Sequence, residues 1–288
     1  MRYLRQSLDF LLFTNIFIAF GAVAQGLVTY HLIGAQPSYI ILTFLFCATI
    51  FIYNISILIA KPKQPQLSKF RRVRWIFTHF KLNVSIAIMA AILLFFLFLL
   101  VSTPSKILII LLGILSLGYA LPLFSAGDRK FGLRNIPGLK LILIALVWSL
   151  SSVVLPIFEL QNQEVSLPDI IILTAKRFLL VAAITIPFDI RDIFQDKAYD
   201  LKTIPTVFGE KGAYIFCQIM LVSYLVLLFV FRNQGFNSNF FALTATTFLT
   251  GWLIFKSKWE KNEYYYFFYL DGILILQYLM LFFFSFIF

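Results

Sequence analysis

The sequence predicts an all-α integral membrane protein, a bundle of nine transmembrane helices. Of its 288 residues 61% are hydrophobic, 35 are phenylalanine and only 13% are charged, for a mean hydropathy of +0.91. A soluble domain cannot hide that much apolar surface, so lipid must be the solvent for most of it. Apolar runs of about 20 residues, the length that crosses the hydrocarbon core, recur along the whole chain. Runs such as "AILLFFLFLLV" do not alternate, which argues against a β-barrel.

Spans are predicted over 8–30, 38–60, 82–101, 106–124, 138–158, 168–188, 212–231, 237–255 and 266–288. The first could pass for a signal peptide with Ala22-Val23-Ala24 as cleavage site, but Asp9 and Asn15 interrupt it and eight spans follow, so it reads as a helix. Asn15 and Gln25 are expected to hydrogen-bond between helices. The second span ends in "YNISILIAKPK". The third and fourth are apolar almost throughout, and "RNIPGLK" leads into the fifth. Lys176 and Arg177 interrupt the sixth and are expected to snorkel outward. The ninth opens with "YYYFFYLDGILIL", whose tyrosines suit an interfacial belt and whose Asp271 faces either a basic loop or a cavity. Cys47 and Cys217 lie inside apolar segments and suggest no disulfide. His31 and His79 lack Cys or carboxylate companions, so a zinc site is not expected. One membrane domain over 1–288 accounts for the chain, with no repeat or soluble appendage in view.

A formal charge of +11 invites a nucleic-acid partner, but the charge is placed by topology. Of the 24 Lys and Arg residues, all but Lys106, Lys176, Arg177 and Arg232 fall at the N-terminus or at the ends and loops on its side of the bundle. That bias predicts a cytoplasmic N-terminus in a multi-pass protein, the inner membrane if the source is bacterial, with basic loops beside anionic headgroups. No nucleic-acid motif accompanies the charge, so no nucleic acid is expected.

Against this oily background "PFDIRDIFQDKAYDLKTIPTVFG", residues 187–209, stands out. On one helix Asp189, Asp192, Asp196 and Asp200 would fall within about 80° of each other, a stripe climbing ~16 Å. Like charges so spaced repel, and a hard cation relieves that; Mg2+ commonly shares its shell between one or two carboxylates and substrate phosphates. A solvated loop whose Arg191, Lys197 and Lys202 pair with the acids is the plainer alternative. Pro205 and Gly209 are expected to stop the helix.

The same stretch resembles the second aspartate-rich motif of the UbiA superfamily of intramembrane prenyltransferases, with Lys202-Thr203-Ile204-Pro205 and Gly209 fitting the signature that follows it. "GYALPLF" and "RNIPGLK" are similar to the segment between that family's fourth and fifth helices, and the family also has nine spans. The resemblance implies a UbiA-like bundle and a Mg2+-dependent transfer of an isoprenyl group from an isoprenyl diphosphate to a small, often aromatic, acceptor. It makes Asp189, Asp192, Asp196 and Asp200 the metal ligands and Asn54, Asp192 and Asp196 the catalytic set. Lys61, Lys63, Lys130, Arg134, Lys202 and Asp271 are the candidates for substrate binding.

One half of the family's pattern is missing. Its first motif, N-D-x-x-D-x-x-x-D, belongs at the end of the second helix, where Asn54 matches the asparagine but Ile55, Leu58 and Pro62 stand at the aspartate positions. No carboxylate occurs between Asp9 and Asp128. Three readings stay open: a transferase working from the second motif, with Asn54 as neutral ligand and Lys61 or Lys63 supplying charge; an intramembrane terpene cyclase; or a non-catalytic lipid-binding or assembly member. The geometry expected is the aspartate stripe facing Asn54 across the mouth of one cavity.

Overall fold

Nine helices long and apolar enough to cross a membrane are present among the described residues, and they fall within a few residues of the predicted spans except where the first and the seventh begin. The structure is a computed structural model describing residues 2–121, 124–126, 129–133, 136, 138–160, 164–198, 201–231, 236–260 and 262–287. In chain order the helices are α1 (Arg2–Phe13), α2 (Ile16–Ile33), α3 (Tyr39–Ile59), α4 (Arg71–Thr78), α5 (Phe80–Leu100), α6 (Thr103–Ala120), α7 (Leu139–Ser149) and α8 (Leu155–Phe158). They continue with α9 (Leu167–Arg191), α10 (Ile193–Ala198), α11 (Ile204–Val230), α12 (Ser238–Lys256) and α13 (Ile273–Ile287). Two three-residue strands, β1 (Phe124–Ala126) and β2 (Arg129–Phe131), pair antiparallel between α6 and α7.

The four spanning helices that start on the side opposite the aspartates open with the same device. Ser38, Ser102, Ser166 and Asn237 each accept from a backbone N–H three residues on, the side-chain cap that satisfies an otherwise orphaned donor. Small residues let the bundle close: a Cβ on Gly26 of α2 would stand 2.9 Å from Leu45 of α3. The outer faces carry Phe95, Phe96, Leu99, Ile107, Phe248 and Phe286, all more than half exposed, as a lipid-facing surface requires.

Four expectations are corrected. The first span is two helices, because Asn15 adopts the left-handed conformation at φ 67°, and Asn54 Nδ2 donates to the freed Thr14 carbonyl at 3.2 Å. The aspartates do not share one uninterrupted helix. α9 ends at Arg191, whose guanidinium turns back on Asp192 (2.8 and 2.9 Å), and α10 then carries Asp196. Asp200 lies outside the described residues. Pro205 begins α11 rather than ending a helix, in the first turn where proline lacks only an orphan N–H. Gly209 at φ 72° kinks α11 without stopping it, which is why the seventh span starts earlier than predicted. Finally, Lys176 and Arg177 do not snorkel: both are buried inside the bundle.

Two departures from α-geometry bear on the site. π turns at Leu150–Val154 and Tyr265–Leu270 shift the helical phase, and the second ends in an i→i−5 bond from Asp271 N to the Tyr266 carbonyl (3.1 Å).

Candidate functional site

Asp189, Asp192 and Asp271 line one cavity of about 230 Å3 at the aspartate face, together with Asn15, Tyr53, Arg72, Lys140 and Arg191. Asp189 and Asp196 meet the Lys140 ammonium at 2.6 and 3.7 Å, the longer approach leaving Asp196 Oδ2 without a hydrogen bond. Burial raises the Asp196 carboxyl above the usual range, with Lys140 opposing the rise. One cation thus stands between two carboxylates, in a geometry that a divalent ion would also compensate. Among the described residues no group of three or more His, Cys, Asp or Glu side chains is arranged to hold a metal. One Mg2+ sharing one or two carboxylates with substrate oxygens fits this donor set; a second, on the α3 side, finds no carboxylate there.

Asn54 does not line the cavity. Its Nδ2 donates to the Thr14 and Ile50 carbonyls (3.2 and 2.9 Å), and its Oδ1 accepts from Asn15 Nδ2 at 3.2 Å. Asn15 Oδ1 in turn accepts from Arg72 Nη2 at 2.5 Å. Asn54 therefore braces the α1–α2 break and, through Asn15, orients a guanidinium in the cavity.

Arg72 arrives from α4, a helix held at its N-terminus by acids from elsewhere in the chain. Glu263 accepts from the backbone N–H groups of Arg71 and Arg72 (2.7 and 3.2 Å), a carboxylate at the positive end of a helix. Asp9 accepts from both Arg71 and the Tyr264 hydroxyl, and the bond to Asp9 raises the Arg71 guanidinium above its ordinary value. The Arg72 guanidinium lies 4.5 Å from the Phe267 ring centroid, and burial lowers it to about 10, so it stays charged near neutrality. Arg191 faces the same ring at 5.5 Å and Tyr266 at 4.9 Å.

The polar cavity opens inward. Tyr53, Arg72 and Ile144 also line a second cavity of about 240 Å3, and that one shares Ile52, Tyr53, Ser116, Val147 and Trp148 with an apolar chamber of about 410 Å3. Tyr53 borders all three. Polar groups at one end and a lipid-like chamber at the other make a site for an amphiphile with an anionic head.

The remaining sequence candidates are dispersed. Lys61, Lys63 and Lys202 are exposed and outside the cavity, though the Lys202 carbonyl accepts from Gly138 N at 3.0 Å and so ties the aspartate loop to the start of α7. Lys130 lies on β2, and Arg134 falls outside the described residues. Sequence reading passed over Asn15, Tyr53, Arg72, Lys140 and Arg191 as site residues. Lys140 and Arg191 sat inside quoted motif segments and were legible there; Arg72 was hidden in an eight-residue helix read as loop.

The sequence profile of the UbiA prenyltransferase family matches residues 80–273. No curated protein sequence matches. Among solved structures, a UbiA homolog from Archaeoglobus fulgidus bound to GPP and Mg2+ is similar at a TM-score of 0.66 and 15% identity, covering 96% of this chain and 99% of that one. The apo structure of a UbiA homolog from Aeropyrum pernix K1 matches at 0.60 and 14%, covering 97% and 98%. A third, the A. fulgidus homolog bound to DMAPP and Mg2+, matches at 0.60 and 15%, covering 95% and 96%. With the profile covering well over half of the 288 residues, the chain belongs to the UbiA prenyltransferase family.

Proposed function

We propose that this protein transfers an isoprenyl group from an isoprenyl diphosphate to an aromatic or other small acceptor, with Mg2+, and that its N-terminus and aspartate face are cytoplasmic. The observation that carries the reading is the polar cavity with Asp189 and Asp192 on its wall, continuous through Tyr53 with an apolar chamber. The diphosphate head suits the first and the isoprenyl tail the second. The A. fulgidus homolog, bound in its structures to GPP or DMAPP with Mg2+, supports the same assignment.

In this reading Asp192 and Asp196, assisted by Asp189 and Asp200, hold Mg2+, which when bound stabilises charge on the leaving diphosphate oxygens. Lys140 keeps Asp189 and Asp196 together against their repulsion. Arg72 and Arg191 face the diphosphate, and Asn54 acts through Asn15 as a positioning residue. Breaking the allylic C–O bond leaves a carbocation that the rings around the cavity stabilise by cation–π attraction, while apolar walls keep water away. Asp271 is our candidate for binding the acceptor or taking its proton. The exposed Lys61, Lys63 and Lys202, with Lys130 and Arg134, would steer the anionic donor to the face rather than grip it.

One observation favours a second reading, a non-catalytic lipid-binding member: Asp189, Asp192 and Asp196 all have basic partners already. Diphosphate release in membranes, measured with donors of several lengths with and without Mg2+, decides between them. Mg2+-dependent release with any donor supports the transferase; none across all lengths supports the second reading.

A further inference from the structure

The half of the site that faces α3 is built differently from the half on α9. Ile55 and Leu58 stand where the family's first motif has aspartates, so no carboxylate there can anchor a metal. What reaches the cavity instead is Arg72 from α4, opposite Arg191 at the end of α9. Each guanidinium retains a buried nitrogen with no hydrogen-bond partner, Arg72 Nε and Arg191 Nη1. Buried N–H donors are nearly always satisfied, and two that are not, on the wall of one cavity, mark where an acceptor belongs. The Phe267 ring lies near both groups, at 4.5 and 5.5 Å from its centroid, without accepting a conventional hydrogen bond from either. Planar guanidinium forks match phosphate oxygens in a way that a lysine ammonium does not.

We propose that Arg72 and Arg191 form a clamp that takes the place of the second metal, so that this chain captures the diphosphate of its isoprenoid donor without Mg2+. The inference rests on the reading of the site as a diphosphate site and concerns how that group is held. Glu263 and Asn15 are positioning residues for the clamp, the first by fixing the N-terminus of α4 and the second by occupying Arg72 Nη2. Mg2+ on the carboxylates at the end of α9 and on α10 then adds to binding that the arginines already provide.

Binding of geranyl diphosphate and of inorganic diphosphate to the purified full-length chain, measured in EDTA and again in Mg2+, tests this. The wild type is expected to bind geranyl diphosphate in EDTA, and Arg72→Lys and Arg191→Lys each to weaken that binding about 10- to 100-fold, as the loss of charge-assisted hydrogen bonds implies. Melting curves accompany each variant, and the wild-type EDTA measurement stands even if one variant fails to fold. Wild-type binding that appears only with Mg2+ overturns the clamp and leaves the diphosphate site intact. EDTA binding unmoved by both lysine variants also overturns it. Binding of neither ligand under either condition overturns the diphosphate reading itself.

Discussion

Helix α9 carries cations near its middle and at its last residue, and they are handled in opposite ways. Arg177 Nη1 donates to the Gln25 carbonyl (2.7 Å) and Ser152 Oγ (3.1 Å), and Nη2 reaches Thr29 Oγ1 at 3.4 Å. Gln25 Nε2 then donates to the Leu274 carbonyl and Gln277 Oε1, and Gln277 Nε2 to the Tyr224 hydroxyl. These bonds tie α2, the first π turn, α9, α11 and α13 together. Lys176, beside it, lies 4.5 Å from the Phe231 ring centroid. About 20 Å along the axis, Arg191 uses two nitrogens on its neighbour Asp192 and leaves the third facing a cavity. An ionisable group inside a membrane bundle is costly in either place. Arg177 offsets the cost with fixed internal partners and is structural, whereas Arg191 and Arg72 leave donors open beside a cavity, as a binding site needs.

Removing Arg177 should break this contrast most visibly. Arg177→Met leaves the Gln25 carbonyl and Ser152 without their donor, and the loss of a buried charged network is expected to cost about 2–4 kcal/mol. Thermal unfolding of the purified protein should register that loss, while geranyl diphosphate affinity per folded molecule stays as in the wild type. A variant that melts normally but no longer binds would place Arg177 in the site and erase the distinction.

Asp192→Asn and Asp196→Asn should do the reverse. Asp192 pairs with its chain neighbour Arg191 and Asp196 only approaches Lys140 of α7 at 3.7 Å, so melting is expected to change by less than for Arg177→Met. The Mg2+-dependent part of diphosphate binding should disappear in both, a loss of roughly 1.5–3 kcal/mol if one charged contact is removed. Titration with a non-hydrolysable donor analogue in Mg2+ and in EDTA reads the difference directly. Survival of the full Mg2+ increment in both variants would mean that the metal is held elsewhere.

A smaller effect is expected from the support of α4. Glu263→Gln keeps an acceptor near the N–H groups of Arg71 and Arg72 but removes the charge that complements the helix end, worth about 1 kcal/mol at most in an exposed setting. Donor affinity should fall about fivefold. An unchanged affinity would show that Asp9 and Asn15 suffice to position Arg72.

How much of this was legible follows from the range of each signal. Span number and class come from local hydropathy, and "AILLFFLFLLV" needs no partner to be read as a membrane helix. The aspartate motif was legible because its chemistry is concentrated in consecutive turns of chain. Asn15 as a left-handed hinge was not, since its conformation depends on Asn54 about 40 residues away holding the Thr14 carbonyl. Arg72 was lost for a related reason. "RRVR" reads as a solvated loop until Glu263, nearly 200 residues later, fixes the helix that turns it inward. Lys176 and Arg177 were misread because snorkelling is the default for a base in a span, and only the tertiary partners of Arg177 reverse it.

The smallest effect concerns the two lysines that the sequence put forward as diphosphate partners. Lys61 and Lys63 follow Asn54 closely, and adjacency in sequence suggested adjacency in space. In the structure α3 ends at Ile59, both side chains are exposed beyond it, and Lys61 lies 6.0 Å from the Phe77 ring centroid rather than over the cavity. Water screens such charges and leaves their chains free, so neither should hold a ligand tightly. Lys61→Ala and Lys63→Ala are expected to change geranyl diphosphate affinity by no more than about 0.5 kcal/mol, about twofold, the usual range for exposed positions away from a site. The on-rate is tested separately by stopped flow: a drop at low salt that vanishes at high salt fits steering of an anionic donor toward a basic face. A loss as large as that expected for Arg72→Lys would instead mean that the loop after α3 closes over the bound diphosphate, and the boundary between gripping and steering residues would have to be redrawn.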